Sequence, residues 1–344
     1  MAKRIAVVLF SLGGPDSLEA VGPYLRNLFS DPAILRVPGI VRGLLARVIA
    51  DRRTLVARQI FAEMGGASTI VSETEAQASA LGRLLVGSGL SETRVFFAMR
   101  YWHPRAAEVA GEVLTFSPEL AVLLPLYPQF STTTTESSID EFEGALSAVG
   151  YQGRVARICC FPSAPGLVAA IAASLEAAIE TARANGTPRI LFSAHGLPER
   201  IVRSGDPYVF QVEETVRAVV EALARPALEW EICYQSRVGP LKWTGPSIDE
   251  SIAKAVAERR AVVLAPIAFV SEHSETLVEL DIKYRHKALA AGALAYVRVP
   301  TVGIEPRFIA ALAGLVRAAA QSEPGRRYCN TRVCPRSFRS CPNV

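Results

Sequence analysis

Short apolar runs alternate along this chain with longer stretches of helical periodicity. The runs cover residues 5–10, 94–99, 120–125, 154–159, 189–193, 229–234, 261–265 and 295–298. Several carry no polar position at all. That is the pattern of strands covered on both faces, as in a parallel sheet between helical layers. Residues 105–115, 166–185, 209–225 and 248–259 carry the intervening helical spacing. The alternation predicts a doubly wound α/β fold. A glycine- and proline-marked turn opens a helix in each half, at Gly13-Gly14-Pro15-Asp16 and at His195-Gly196-Leu197-Pro198. Two Rossmann-like lobes with parallel sheets and a cleft between them is the economical prediction.

Residues 18–60 break this rhythm. Ile40, Val41, Leu44, Leu45, Val48 and Ile49 recur at helical spacing, with Arg42 and Arg47 elsewhere on the wheel. Arg26, Arg36, Arg42, Arg47, Arg52, Arg53 and Arg58 face only Asp31 and Asp51 as acids over residues 21–60. Three readings stand: a helix packed on the core, a lip over a pocket, and a basic, apolar surface resting on an acidic bilayer.

Composition adds bounds. With 344 residues, half of them hydrophobic and a fifth charged, the chain is globular. Its formal charge of +4 makes no case for nucleic acid. Lys3-Arg4 and the apolar run after it mimic a signal peptide, but Gly13-Gly14-Pro15-Asp16 stands where a cleavage site would be. A first buried strand is the better reading, and a cytoplasmic location is expected. No apolar stretch free of charges and breakers is long enough to span a bilayer.

Candidate chemistry collects at the carboxyl ends of predicted strands, where open α/β sheets bind ligands. Leu191-Phe192-Ser193-Ala194-His195 ends a strand in an imidazole, a base or metal ligand near neutral pH. Ser271-Glu272-His273-Ser274-Glu275 follows another. If Ser271 caps a helix there, Glu272, Glu275 and Glu279 share one face beside His273. Met99-Arg100-Tyr101 offers groups that orient a carboxylate or stack on a flat ligand. Gly-Pro pairs bracket a loop holding Trp243, and Tyr127-Pro128-Gln129-Phe130 leads into a hydroxyl-rich turn suited to anions. The chain has no glycine-rich phosphate loop, so no nucleotide is expected.

Taken in order, these segments resemble the ferrochelatase family from residue 5 to about residue 320. The motifs are Leu12-Gly13-Gly14-Pro15, Met99-Arg100-Tyr101, Tyr127-Pro128-Gln129, Ser193-Ala194-His195-Gly196-Leu197-Pro198, Gly205-Asp206-Pro207-Tyr208, Gln235-Ser236-Arg237-Val238-Gly239-Pro240 with Trp243, and His273-x-Glu275-Thr276-Leu277 with Glu279-Leu280-Asp281. The resemblance implies a chelatase-like fold. It also implies insertion of Fe²⁺ into protoporphyrin IX, giving protohaem and two protons, the last step of haem biosynthesis. Coproporphyrin, another tetrapyrrole, and a non-catalytic tetrapyrrole- or metal-binding protein are the alternatives. By the same resemblance His195 and Glu275 are catalytic and meet the metal, and Glu272, His273 and Glu279 form a proton or metal path. Leu12, Arg52, Arg53, Arg100, Tyr101, Ser236 and Trp243 bind porphyrin.

The implied lobes are residues 1–127 plus 300–322, with the lip at about 18–60, and residues 128–299. A cysteine-rich tail, 323–344, follows. Leu12 stands where some relatives have Met, Trp102 where some have a basic residue, and Lys283 where some have an acid. Some family members bind a 2Fe–2S cluster through tail cysteines. Here Cys329, Cys334 and Cys341 are the tail candidates, with Cys159 or Cys160 as the further ligand, because the animal-type upstream position is Thr132. Zinc, a disulfide and ordinary thiols are the alternatives. Expected partners are porphyrin, ferrous iron and, through residues 21–60, the inner face of the cytoplasmic membrane. The chain is read as a monomer or homodimer.

Overall fold

The computed structural model describes residues 4–86, 92–237, 241–322, 327–329 and 334–343. Among them are β1 (Arg4–Ser11), β2 (Glu92–Met99), β3 (Leu120–Pro125), β4 (Arg154–Cys160), β5 (Pro188–His195), β6 (Glu229–Gln235), β7 (Ala261–Pro266), β8 (Tyr296–Arg298) and β9 (Arg327–Cys329). They form two sheets, ordered β2-β1-β3-β4-β9 and β6-β5-β7-β8. Every pairing is parallel. The expected pair of parallel α/β lobes is present.

The first compact unit comprises Met1–Tyr127, Ser131–Cys160 and Leu312–Cys329; the second comprises Pro128–Phe130, Phe161–Ala311 and Asn330–Val344. Residues 131–160 therefore group with the first unit, where the sequence boundary placed them in the second. The cause is β4, which hydrogen-bonds to β3 from Leu120↔Arg154 onward.

Burial explains which strands were apolar throughout. β3 and β7 are interior strands, buried at all six positions. β2 and β6 lie at sheet edges and mix buried with exposed positions. Helices Ala106–Phe116 and Ser137–Ala148 cover one face of the first sheet with Val109, Val113, Ile139 and Phe142. Phe142 meets Phe10 edge-on, with ring centroids 5.2 Å apart. Truncating such a buried ring costs about 3–5 kcal/mol. In the second unit Ser247 and Glu250 form a capping box that starts the helix Ile248–Ala257.

One helix, Pro165–Arg183, is long and apolar enough to cross a membrane by length and composition. Leu167, Val168, Ile171, Leu175 and Ile179 on it are buried, the pattern of a core helix.

Parallel strands deliver their carboxyl ends to the same side of each sheet. His195 and Gln235 end adjacent strands in the second unit; Ser11 and Met99 do so in the first.

Candidate active site

His195 is half-buried at the last position of β5. Its Nδ1 lies 2.7 Å from the Gly196 carbonyl oxygen. A carbonyl only accepts, so Nδ1 carries the hydrogen and Nε2 holds the ring's lone pair. The turn behind it is tightly built. Gly196 N–H donates to the Gln235 carbonyl at 2.8 Å. A Cβ at Gly196 would lie 2.9 Å from that oxygen and 3.3 Å from the Trp243 ring, so only glycine fits. The 242–244 segment zips onto this turn. Glu199 N–H donates to the Lys242 carbonyl (2.9 Å), and Thr244 N–H to that of Leu197 (3.0 Å). Trp243 is thereby fixed against Gly196, the residue after His195. Val238, Gly239 and Pro240 lie outside the described residues.

Glu275 and Glu279 sit on a π-helix, Glu275–Lys283, a helix type that recurs at functional sites. The residues leaving β6 hold both carboxylates. Gln235 Nε2 donates to Glu275 Oε2 at 3.0 Å, and Ser236 Oγ donates to Glu279 Oε2 at 2.7 Å. Ser236, expected to meet porphyrin, is thus a ligand of Glu279. Burial and then the Glu275 charge push the Glu279 carboxyl above its usual range, against Ser236, Lys283 and His195. One buried carboxyl of the pair is therefore disposed to hold a proton.

Glu272 departs from the expected acidic stripe. Ser271 does not cap a helix; the chain turns helical only after His273, whose N–H donates to Thr276 Oγ1 at 2.9 Å. Glu272 instead accepts from Arg298 Nη1 (2.7 Å) and Thr301 N–H (2.9 Å). Burial alone would raise its pKa, but hydrogen bonds from Thr276, Thr301 and Arg298 outweigh it and hold the carboxyl below its usual range. His273 is buried, with Nδ1 3.1 Å from the Ser271 carbonyl and its ring against Phe269 at 4.8 Å.

In the first unit Arg100 and Tyr101 follow β2, but the terminal guanidinium nitrogens and the phenol are engaged inside the protein. Arg100 pairs with Asp31 and with Glu141, each at 2.8 Å. Tyr101 OH donates to Asp31 Oδ2 at 2.7 Å, and burial followed by the Asp31 charge pushes the phenol's pKa far up. Leu12 is half-buried, its carbonyl accepting the Tyr101 N–H. Arg52 and Arg53 are exposed on the helix Gly39–Glu63, the latter over the Phe29 ring. That helix buries Ala46, Ala50 and Phe61, while Ile40 (87% exposed), Leu44 (68%) and Leu55 (72%) face outward. Packing of its apolar stripe on the core is excluded. In the turn after β3, Ser131 Oγ accepts from Thr133 N–H at 3.2 Å.

The cysteines divide. A β-bulge between Ile158 and Cys160 sets Cys160, rather than Cys159, opposite Cys329. Their sulfurs are 3.2 Å apart, well beyond the roughly 2.05 Å of a disulfide. Cys334 Sγ accepts from Gln211 Nε2 at 3.1 Å, and Cys341 is buried. Among the described residues no three His, Cys, Asp or Glu are grouped to hold a metal ion. Cys160 and Cys329 are thus brought together as a thiol pair.

The rest of the tail docks within the second unit. Phe338 stacks on Phe210 with centroids 5.1 Å apart, and Ser340 N–H donates to the Gly205 carbonyl at 3.2 Å. Gly205 has φ +94°, and a Cβ there would lie 2.8 Å from the Arg339 nitrogen.

Sequence reasoning missed Gln235 and Asp31. A polar residue ending the strand beside β5 was the available signal for Gln235. Asp31 left no local signal, since its partners lie about 70 positions away.

The ferrochelatase family model matches residues 4–320. A ferrochelatase of Caulobacter vibrioides is 47% identical over 345 residues, covering 99% of this chain and 98% of that protein. One from Hyphomonas neptunium is 48% identical, covering 100% and 96%. Among solved structures, the sirohydrochlorin chelatase SirB from Bacillus subtilis subspecies spizizenii in complex with cobalt has a TM-score of 0.51 at 12% identity, covering 93% of this chain and 96% of that one; it shares the fold. A family match across nearly the whole length and relatives near half identity agree with the histidine–carboxylate arrangement: this chain belongs to the ferrochelatase family.

Proposed function

We propose that this enzyme inserts Fe²⁺ into protoporphyrin IX, yielding protohaem and two protons, with His195 and Glu275 as the groups that meet the reacting centre. The observation that carries this is the joint placement of the two. His195 holds its proton on Nδ1 against Gly196, leaving the Nε2 lone pair, and Glu275 is tied through Gln235 to the strand beside it. The two pyrrole N–H protons of a free porphyrin block the metal. A neutral imidazole and a carboxylate are acceptors for them, and both are suitable transient ligands for ferrous iron. Glu279, whose proton affinity burial raises, accepts a proton from Glu275 on the same helix after releasing its own to solvent. Trp243 forms an aromatic wall beside His195. Arg52 and Arg53 meet the porphyrin propionates. Arg100 and Tyr101 support the site through Asp31 rather than by touching substrate.

Replacing His195 by Ala tests this. Zn²⁺ or Fe²⁺ insertion falls by about 10²- to 10⁴-fold while porphyrin binding, followed by its absorption shift, persists. Insertion near the wild-type rate sinks the assignment. Comparing turnover on protoporphyrin and coproporphyrin tests the substrate.

Two further readings rest on the same structure. Cys160 and Cys329, paired across β4 and β9, are read as thiolate ligands of a 2Fe–2S cluster that Cys334 and Cys341 complete, a cluster that stabilises the fold or senses redox state. The outward apolar residues and arginines of the helix Gly39–Glu63 are read as a lip that guides porphyrin and rests on the inner face of the cytoplasmic membrane.

A further inference from the structure

Gln235 is buried at the end of β6, 1% exposed, with both ends of its amide engaged. Ser193 Oγ, fully buried on β5, donates to Gln235 Oε1 at 2.7 Å; Gln235 Nε2 donates to Glu275 Oε2 at 3.0 Å. The backbone of the same residue accepts the Gly196 N–H, and the sheet register sets it opposite His195. One residue therefore grips the histidine turn by its main chain and the carboxylate by its side chain.

We infer that Gln235 is a positioning residue for metal insertion, acting through Glu275, and that Ser193 steadies the far end of its amide. The inference rests on the reading of Glu275 as the reacting carboxylate. A primary amide has one accepting and one donating end. A carboxylate only accepts, so the NH₂ group faces Glu275 and the amide oxygen takes the Ser193 hydroxyl. That satisfies Oε2 and leaves Oε1 as the oxygen that meets substrate. A glutamate has several rotatable bonds, and an unheld one spends part of its time misaligned. Prealigning a reacting group removes that loss before the chemical step.

Two other buried glutamines of this unit each divide their amide between backbone and side chain. Gln129 Nε2 reaches the Ile267 carbonyl and Thr215 Oγ1; Gln211 Oε1 accepts the Phe130 N–H while its Nε2 donates to Cys334 Sγ. The Gln235 amide reaches only side chains, and one of them is Glu275. Its neighbour Ser236 treats Glu279 alike, so two consecutive residues leaving β6 orient two carboxylates on one helix.

A double-mutant cycle tests the inference. Gln235→Met keeps length and loses both hydrogen bonds. We expect kcat to fall about tenfold or more, with KM for porphyrin within about twofold, since the amide does not touch porphyrin. In the Glu275→Gln background the same substitution changes kcat by less than about twofold, the mark of coupled residues. Ser193→Ala gives the same pattern at smaller size, and it carries the cycle if Gln235→Met does not fold. Equal losses in both backgrounds, or unchanged kcat in folded single variants, overturn the inference. Wild-type turnover in Glu275→Gln alone overturns the reading of Glu275, and the inference with it.

Discussion

Arg100 is bound by Asp31 within the protein itself, Nη2 to Oδ2 at 2.8 Å, with the Asp31 side chain 2% exposed. A guanidinium at a strand end beside a porphyrin site invites assignment to a propionate. Here its other terminal nitrogen, Nη1, is committed to Glu141, and Tyr101 shares the same aspartate. Asn27 Nδ2 donates to the Tyr101 carbonyl at 3.0 Å, so the latch ties the helix Val21–Ser30 to the end of β2. Arg100→Met leaves the Asp31 carboxylate buried without its cation and costs about 3 kcal/mol of stability. Urea unfolding measures it. A loss of porphyrin affinity with unchanged stability would show that Arg100 contacts substrate instead.

Glu279 and Glu272 predict opposite pH slopes. The folded-state pKa of Glu279 is raised, so its contribution to stability falls as pH rises from about 4.5 through the raised value. Glu279→Gln lacks that fall, and its stability relative to the wild type improves as pH increases over this range. The folded-state pKa of Glu272 is depressed, so its contribution is full above 4.5 and is lost as pH drops through the lowered value. The deficit of Glu272→Gln is present at neutral pH and shrinks on acidification. Unfolding free energies of both variants against pH check the two signs; parallel curves would refute them.

Cys160 and Cys159 differ in predicted importance despite being neighbours, because the bulge sets only Cys160 opposite Cys329. Protein purified anaerobically contains iron and absorbs visible light without added haem. Cys160→Ser and Cys329→Ser lose both properties, and Cys159→Ser keeps them. Iron analysis and absorption spectra decide the matter. A colourless, iron-free wild-type preparation removes the cluster.

The exposed Ile40, Leu44 and Leu55 predict salt-sensitive flotation with anionic liposomes, since basic and apolar groups share the helix Gly39–Glu63. Replacing Ile40 and Leu44 by Ser weakens flotation at every salt concentration. Replacing Arg52 and Arg53 by Gln weakens it most at low salt. Absence of any flotation with the wild type refutes the membrane reading.

The strands were legible because interior strands of a parallel sheet are apolar on both faces, as β3 and β7 are. β9 was not legible. Arg327-Tyr328-Cys329 has no apolar run, and its strand state comes from the open edge of β4. His195 and Glu275 stood out because titratable groups closely follow strands. Glu272 was misplaced because its three-residue spacing from Glu275 suggested a helix begun at Ser271. Arg298, 26 positions away, decides its surroundings, and no local pattern contains that. In the helix Gly39–Glu63 the spacing showed a helix but left open which side faces inward. Ala46 and Ala50 pack inward because small side chains allow close approach, which leaves the larger ones outside.

The first sheet is completed after the second. Helix Pro306–Gln321 crosses from one unit to the other, and β9 adds the final strand of a sheet whose first strand begins at Arg4. All four strands of the second sheet lie between Pro188 and Arg298. During synthesis the second sheet is therefore fully paired while the first still has an open edge at β4. A chain that stops short of Leu312 keeps the sheet bearing His195 but leaves the other without its closing helix and strand, an exposed edge of the kind that pairs with other chains. Truncation before Leu312 is therefore expected to favour aggregation through the uncovered β4 edge.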